Sequence, residues 1–516
     1  MSAIDRIVEW WDPVVALRRR SARDALASYE SAEPSRYRKS RRSDRSINDL
    51  VQSSAVATRA QIRYLERNHD LARGVLRTLV NNTIGPAGIG IEPQPRLADG
   101  SIATDYASAL REAWQDWQRH PEVTARLRWP QVQRLVARTW MRDGEAFAQD
   151  VIGKLPSLEH GTRVPYSIEL LEPDMVPLDY DDEARGVRQG IERDTWGRAR
   201  AYWVHKTHPS ERLALINARD LKRVPAERMM QVATIDRIGQ LRGMSEFASI
   251  LARLDDLKDY EESERIAAKI AARLTAFVRK GTPDMFDPNR DAAARDADGN
   301  LLPRDLRLEA GTIVDGLSVG EEIGLIDSKR PNPNLVAWRQ GQLRAIAAGV
   351  GVSYSSSAKD YNGTYSAQRQ ELVEQWVNYA TLTDEFAGMF VRPVWETFVR
   401  VADLSGVVRM PAGMRPDMAD DALCIGQSMP WIDPLKEAKA WQELTRAGFA
   451  TEVEVMRKRG ANPRDVLDQL AEFRRDARAR DLVLSSDAAT DLAPAVHVAP
   501  PDDDLADTIA RVTRAE

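Results

Sequence analysis

Two histidines in the motif HKTH are the first residues whose types could bind a metal ion. His205 and His208 follow a run of strand-forming residues. Strand geometry with this spacing places the two rings on opposite faces, and no third ligand stands at a spacing typical of a metal site. The motif therefore predicts no metal site.

Carboxylates are concentrated between Asp255 and Glu264, where they could serve a two-metal nuclease. The segment has a helical pattern and also carries Lys258 and Arg265, with several opposite charges at salt-bridge spacing. A charged helix face, in solvent or between subunits, is the preferred interpretation, and a metal-dependent nuclease is the alternative. The acidic residues are Asp255, Asp256, Asp259, Glu261, Glu262 and Glu264.

Phosphate-binding and nucleophilic motifs are incomplete. The glycines at 85, 88 and 90 precede IEPQP, whose prolines exclude the helix that would hold a phosphate, so they predict a loop entering a strand. The segment GKLPS at 153–157 lacks the spacing of a phosphate loop, and Ser353 with the serines at 355–357 has no base at a recognisable spacing. The sequence predicts no catalytic residue, no metal ligand and no cofactor.

Composition limits the class of protein further. The 516 residues are 43% hydrophobic, enough for more than one packed unit, and the net charge of -5 is unlike that of proteins that wrap nucleic acid. The one cysteine, Cys424, excludes an intrachain disulfide and fits a reducing compartment. No apolar run is long enough for a membrane span, and the first residues do not resemble a secretory signal, so we expect a soluble protein.

The segment from Gln340 to Val401 has the most distinctive local order. It predicts a helix rich in small residues, then a Gly/Ser/Asn loop, then a long helix from Gln368 onward. Pro393 falls within the long helix and predicts a kink near Val391, because proline removes a backbone donor and crowds the preceding turn. One apolar stripe is expected to pack: Leu372, Trp376, Tyr379, Phe386 and Phe390.

Elsewhere the pattern is mixed α and β. Strand signals run from Tyr166 to Val232, with a hairpin turn at Thr195–Arg198, and Arg242 to Val278 predicts one helix roughly 50 Å long. Asp433 is a predicted cap for a helix from Pro434. The first 60 residues predict a short amphipathic stretch at 4–17 and a basic arm at 36–45, which is expected to be solvated and mobile, with contact to nucleic acid or to an acidic neighbour as the alternative. The chain from Ser485 onward predicts a disordered tail.

Several motifs, in order along the chain, resemble the lambda-type portal protein family of tailed bacteriophages. The resemblance covers the stretch from Arg67 to Val399 and does not depend on any single block. The blocks are RNHDLARGVLRTLVNNTIGPAGIGIEPQP, TWMRDGEAF, LLEPDMV, AYWVHKTHPS, RVPAERMMQV, QLRGMSEF, LDDLKDYEESERIAAKIAA, RQGQLRAIAAGVGV, YNGTYSAQRQ and RPVWETFV.

The resemblance implies an α+β subunit of several parts with a helical crown. These are an N-terminal arm (1–60), wing (61–240), first stem helix (241–278), clip (279–332), second stem helix (333–350), tunnel loop (351–366), kinked channel-to-wing helix (367–403), crown (404–484) and tail (485–516).

The resemblance also implies a function. A phage portal protein forms a ring, with about twelve subunits expected, at one capsid vertex of the virion, and double-stranded DNA passes through it without sequence readout. The implied partners are the large terminase subunit, a head-completion connector protein, the scaffold and the major capsid protein, with assembly in the host cytoplasm and no membrane. The alternative is a nuclease of the packaging apparatus.

A short segment is the candidate for contact with DNA. Asn362-Gly363 is a turn signal, Lys359 is its clearest cation, and the following helix gives it a base. Polar side chains of this kind make weak, exchangeable contacts, which a translocation channel requires. The candidate residues are Lys359, Asp360, Tyr361, Asn362, Gly363, Thr364, Tyr365 and Ser366.

Overall fold

The computed structural model describes residues 45–211, 221–272, 276–280, 321–325, 334–429, 433–482 and 484. The chain divides into two units, Met1–Ser54 and Ala55–Glu516, and the features described below belong to the second, apart from residues 47–54 of the first helix. The predicted amphipathic stretch at 4–17, nearly all of the basic arm, most of the predicted clip and the tail from Ser485 lie outside the described residues.

Helices make up most of the described chain. They are α1 (Ile47–Asn68), α2 (Asp70–Thr83), α3 (Thr104–Trp117), α4 (Trp129–Asp143), α5 (Leu251–Ala272), α6 (Leu335–Gly349), α7 (Tyr354–Ala358), α8 (Tyr365–Phe386), α9 (Arg392–Leu404), α10 (Pro434–Arg446), α11 (Glu452–Lys458) and α12 (Pro463–Ala479). None of the helices in the described ranges is long and apolar enough to cross a membrane.

The strands form small antiparallel sheets, which agrees with the predicted mixed α and β class. The order is β3-β2-β8 in one sheet and β4-β5-β6-β7 in another, while β1 pairs with β11 and β9 with β10. The strands are β1 (Gly90–Pro93), β2 (Glu145–Ile152), β3 (Tyr166–Leu171), β4 (Val187–Arg188), β5 (Ile191–Arg193), β6 (Ala199–His205), β7 (Leu221–Pro225), β8 (Met229–Ala233), β9 (Ala276–Lys280), β10 (Glu321–Leu325) and β11 (Ala422–Ile425).

Several local predictions are confirmed by these elements. The glycines at 85–90 lead into β1, as the proline-containing sequence after them required. The strands β5 and β6 form the predicted antiparallel hairpin around the turn at 195–198. Asp433 caps α10 by accepting a hydrogen bond from the backbone N–H of Lys436 at 3.2 Å.

An aromatic cluster joins the N-terminal helices to α9. The indole of Trp114 stacks on Trp117 with ring centroids 4.7 Å apart and meets the edges of Trp395 and Phe398 at 5.3 and 4.9 Å. All four side chains are buried, and each buried aromatic ring removes a large apolar surface from water. The C-terminal end of the α8–α9 segment is therefore fixed in the main core.

The helix predicted from Arg242 to Val278 extends beyond the observed helix at both ends. Helix α5 begins at Leu251 and ends at Ala272, so its 22 residues span about 33 Å rather than 50 Å. At the start, Gly243 lies so close to the Gly144 backbone that an added Cβ would stand 2.0 Å from the Gly144 carbonyl oxygen. At the end, residues 276–280 pair with β10, because Ala-Phe-Val favours a strand when a partner strand is present.

Candidate functional site

The candidate segment Lys359–Ser366 connects two helices. The predicted loop before it contains the short helix Tyr354–Ala358, and Lys359 ends that helix in the left-handed conformation, with φ 55°. Thr364 caps α8 by accepting a hydrogen bond from the Ala367 backbone N–H. Helix α8 thus begins at Tyr365, so Tyr365 and Ser366 lie in its first turn and not in the predicted loop.

Hydrogen bonds within the segment give it a defined shape. The Tyr354 hydroxyl donates to Asp360 Oδ2 at 2.9 Å, and Asn362 Nδ2 donates to Asp360 Oδ1 at 2.7 Å. Gln368 Nε2 reaches back to the Tyr361 carbonyl at 2.6 Å. The bond from Tyr354, followed by the backbone N–H of Asn362, lowers the pKa of Asp360, which therefore remains an anion beside Lys359.

Two further contacts hold the base of the segment to α8. The Ser355 hydroxyl donates to Glu371 Oε2 at 2.6 Å, and its backbone N–H donates to the other carboxylate oxygen at 3.1 Å. Asn378 Nδ2 donates to the carbonyl of Gly351 at 3.0 Å. The sequence reasoning missed Glu371 and Asn378, because nothing at their positions in α8 identifies a contact with a loop 16 or 27 residues earlier.

The tip of the segment faces solvent. All residues from 361 to 367 are exposed, including the aromatic rings of Tyr361 (58%) and Tyr365 (57%). Lys359 is exposed as well. The segment is therefore an exposed polar tip on a hydrogen-bonded base, a shape that can touch a neighbouring molecule without refolding.

The predicted packed stripe of α8 is buried unevenly. Tyr379, Phe386 and Phe390 are fully buried, while Leu372 and Trp376 are only half-buried. The N-terminal part of α8 thus stands away from the core. On that part, Val373 and Val377 are exposed, Val377 to 67%, and their four-residue spacing puts them on one face.

The region of the predicted kink has irregular helical hydrogen bonding. A π-helical turn, Ala387–Val391, separates α8 from α9, and Pro393 is the second residue of α9. A π turn is one of the recognised causes of a helix bend, and proline is another. The bend itself stays a prediction.

The histidines of HKTH have different surroundings. Among the described residues, Glu172, Asp174 and His208 form a group whose potential ligand atoms lie within 4.8 Å of one another. Sequence spacing could not indicate these two carboxylates, because the chain after β3 meets the chain after β6 only in the folded structure. However, Arg63 NH2 lies 2.6 Å from Asp174 and 3.5 Å from Glu172, so a cation already neutralises these carboxylates.

Three of the acidic residues of α5 are engaged in charge pairs or hydrogen bonds. Glu261 accepts from Arg339 of α6 at 2.5 Å, and Lys258 lies 4.0 Å from Glu262. Asp255 accepts from Gln61 Nε2 at 3.2 Å. These partners favour the interpretation of a charged packing face over that of a metal-binding nuclease site.

Comparison with known proteins decides the family. The model of the family described as phage portal protein, lambda family, matches residues 33–382, which include the whole candidate segment. The chain belongs to the lambda family of phage portal proteins. This confirms the resemblance inferred from the sequence motifs, and it supports a portal function at the capsid vertex of a bacteriophage particle.

Portal proteins of three phages are similar to this chain in sequence. A "Probable portal protein" of Halomonas phage phiHAP-1 is 25% identical over 415 residues, which cover 78% of this chain and 77% of that protein. "Portal protein B" of Escherichia phage lambda is 22% identical over 322 residues, which cover 58% of this chain and 60% of that protein. The "Portal protein" of Escherichia phage N15 is 23% identical over an equal length.

Solved structures give a looser similarity. A chain from the "Neck of native GTA particle computed with C12 symmetry" has a TM-score of 0.41 and 11% identity, over 80% of this chain and 99% of that chain. A chain from the "Virion of native gene transfer agent (GTA) particle" has a TM-score of 0.40 and 13% identity.

Proposed function

We propose that this portal-family chain assembles into a closed ring of about twelve subunits that lets double-stranded DNA pass, with the tip Lys359–Thr364 facing the channel. The observation that carries the proposal is the exposed polar tip on its fixed base, within the stretch that matches the family. A fixed base holds the tip in the path of the DNA. Exposed polar side chains leave it free to make and break contacts.

The charges at the tip suit transient contact with phosphates. Lys359 is a single cation, and the neighbouring anion Asp360 offsets it within the same turn. A segment that neutralised many phosphates would bind DNA tightly and in a salt-dependent manner, which would slow translocation. Tyr361 and Asn362 instead offer neutral hydrogen-bonding groups that distinguish no base sequence.

The exposed valines of α8 support the ring. Val373 and Val377 form an apolar edge on a helix whose opposite side packs inward. An apolar edge of this kind is stabilised when a second copy covers it, and a head-to-tail contact repeated around an axis closes a ring. Native mass spectrometry is expected to detect closed rings of about twelve or thirteen subunits. Only monomers or dimers at several salt concentrations would contradict the ring.

We base the assignment of wing, stem, clip and crown on the resemblance to the family. We assign the wing to 61–240, the stem helices to α5 and α6, the clip to 279–332 and the crown to 404–484. Under this assignment the large terminase subunit docks at the clip and a connector protein binds after packaging, while the scaffold and major capsid protein surround the wing. The protein would be assembled in the host cytoplasm and located in the virion.

An in vitro packaging assay tests the channel assignment. Deleting 360–364 would also remove the Thr364 cap and the bond from Tyr354 to Asp360. A sharper variant keeps both: Lys359→Gln, Tyr361→Gly and Asn362→Gly, of which the last removes the side-chain bond from Asn362 to Asp360. We expect intact rings but reduced packaging or retention of DNA. The matched control is Thr364→Ala, which weakens the cap and leaves the tip side chains in place. Normal packaging and retention with the triple variant would show that the tip does not line the DNA path.

A further inference from the structure

A cavity of about 440 Å³ lies among α1, α2, α4 and the chain after β3, and arginine is its main lining residue. Five arginines and two glutamates line it, and Asp143 and Asp174, which pair with Arg63, reduce this positive excess without cancelling it, although the whole chain carries -5. The cavity lies within the size range of ligand pockets in proteins. It is separate from the candidate channel segment, and no residue of that segment lines it.

The inner arginines are already paired. Glu66 accepts from both Arg138 and Arg142, with Arg138 Nε at 2.7 Å and Arg142 NH1 at 3.0 Å. Asp143, which is fully buried, accepts from Arg63 at 2.7 Å and from Arg142 at 2.8 Å. These pairs fix the inner guanidinium groups and make the wall of the cavity rigid.

Two arginines at the rim differ from the inner ones. Arg67 lies in the last turn of α1 and Arg73 in the first turn of α2, and both are exposed. Within the ranges that the structure describes, neither side chain has an ion pair or a hydrogen bond. The pairing inside the cavity therefore leaves two guanidinium groups at the rim with their donors available.

We propose that this cavity, the arginine pocket, binds phosphate groups, either of a free phosphate compound or of a nucleic-acid backbone. Guanidinium groups present several N–H donors in a plane and bind phosphate oxygens in pairs, with stronger bonds than neutral donors make. A phosphate has oxygens directed at several sides, so the Arg67 and Arg73 groups can both donate to it. The proposal does not rest on the channel assignment.

The structure favours phosphate over a carboxylate ligand. The inner carboxylates of Glu66 and Asp143 already occupy the places where planar, bidentate pairing is best. Glu172 also lines the cavity and repels any anion, but Arg63, 3.5 Å away, offsets its charge. A phosphate monoester or pyrophosphate carries more negative charge per group than a carboxylate and gains more from a wall with a net positive charge.

Binding of inorganic pyrophosphate and of a short DNA duplex, measured by calorimetry at low and at physiological salt, tests the proposal. The test variant is Arg67→Gln with Arg73→Gln, and the control is Arg77→Gln, an exposed arginine of the same helix α2 that does not line the cavity. We expect pyrophosphate binding about tenfold or more weaker in the double variant and unchanged in the control. Equal melting temperatures would show that the fold is intact.

The pattern of affinity losses distinguishes the two sources of phosphate. Weaker binding of both pyrophosphate and DNA in the double variant would identify the backbone of DNA as a source of the phosphate. Weaker binding of pyrophosphate alone would restrict the pocket to free phosphate compounds. The proposal is overturned if pyrophosphate does not bind the unaltered protein, if the control variant loses as much affinity as the double variant, or if a glutamate-rich peptide binds in its place.

Discussion

Replacing Arg242 by methionine tests whether burial determines how much stability is lost when one partner of an ion pair is removed. Arg242 and Glu145 are both fully buried, with side-chain exposures of 0% and 0%. The guanidinium donates to Glu145 at 2.7 and 2.9 Å and to the carbonyls of Gln189 and Pro173 at 2.8 and 3.2 Å. The substitution would leave a buried carboxylate and two carbonyls without these donors.

The loss of these hydrogen bonds sets the expected decrease in the free energy of unfolding. Removing one partner of a buried ion pair costs about 3–5 kcal/mol, because the remaining charge stays away from water. Some compensation comes from Gly243 N, 3.1 Å from Glu145, and from Arg59, 3.4 Å away. We expect Arg242→Met to lower the free energy of unfolding by about 3 kcal/mol or more.

A surface pair with equally good geometry provides the control. Arg223 donates to both carboxylate oxygens of Glu192 at 2.8 Å, yet the two side chains are 45% and 19% exposed. Because water can replace the lost partner, we expect Arg223→Met to lower the free energy of unfolding far less than Arg242→Met does. The comparison therefore keeps the distances within the ion pair similar and changes its burial, together with the two carbonyl bonds that Arg242 makes.

Urea unfolding at a fixed protein concentration, followed by tryptophan fluorescence, measures both variants. The exact oligomeric state does not enter the comparison, because both variants are measured under the same conditions. A loss for Arg242→Met that lies within about 1 kcal/mol of the loss for Arg223→Met would refute the argument that burial sets the cost.

Three further predictions concern stability. Burial raises the pKa of Asp150 to about 6. Since its unfolded value is about 3.9, the folded state binds the proton more tightly. Stability relative to Asp150→Asn should therefore fall by about 2 kcal/mol as the pH rises from 4 to 6, and a rise in urea titrations at several pH values would contradict this. Gly144→Ala should destabilise the protein by ~1–3 kcal/mol more than Gly153→Ala does. Both glycines have positive φ, so the backbone strain is shared. An added Cβ at Gly144 would lie 2.4 Å from the Met244 carbonyl carbon, whereas the space at Gly153 is open. Equal melting temperatures for the two variants would rule out that close approach as the cause. Thr364→Ala should cost about 1 kcal/mol, measured by thermal unfolding, because α8 loses its cap, and Thr364→Ser should recover most of it.

The family could be predicted from the sequence because its motifs are runs of neighbouring residues. The same is true of several elements. Two runs of strand-favouring residues around a turn predicted the hairpin of β5 and β6, and Asp433 before Pro434 predicted the start of α10. Propensity, capping and turn formation act over a few residues, so a sequence pattern of that length is sufficient to predict them.

The start of α5 shows where such patterns fail. Arg242 has a place in a helical pattern, but its guanidinium binds Glu145, which is 97 residues away, and the chain at Gly243 must pass close to Gly144. The favourable contacts of the folded state outweigh the local preference for a helix. The short helix Tyr354–Ala358 was missed because serines have a weak local preference for the helix. In the folded chain, Ser353 caps this helix and stabilises it.

The sequence by itself thus determined the family, the mixed α and β class and the start of α10, since each depends on residues close together in the chain. Only the tertiary structure decided which distant residues meet. It ties the tip to Glu371 and Asn378, and it gathers Arg63 and Arg142, from separate helices, around one cavity. Burial and electrostatic pairing depend on distance in space, and that distance is set when the helices and sheets pack together.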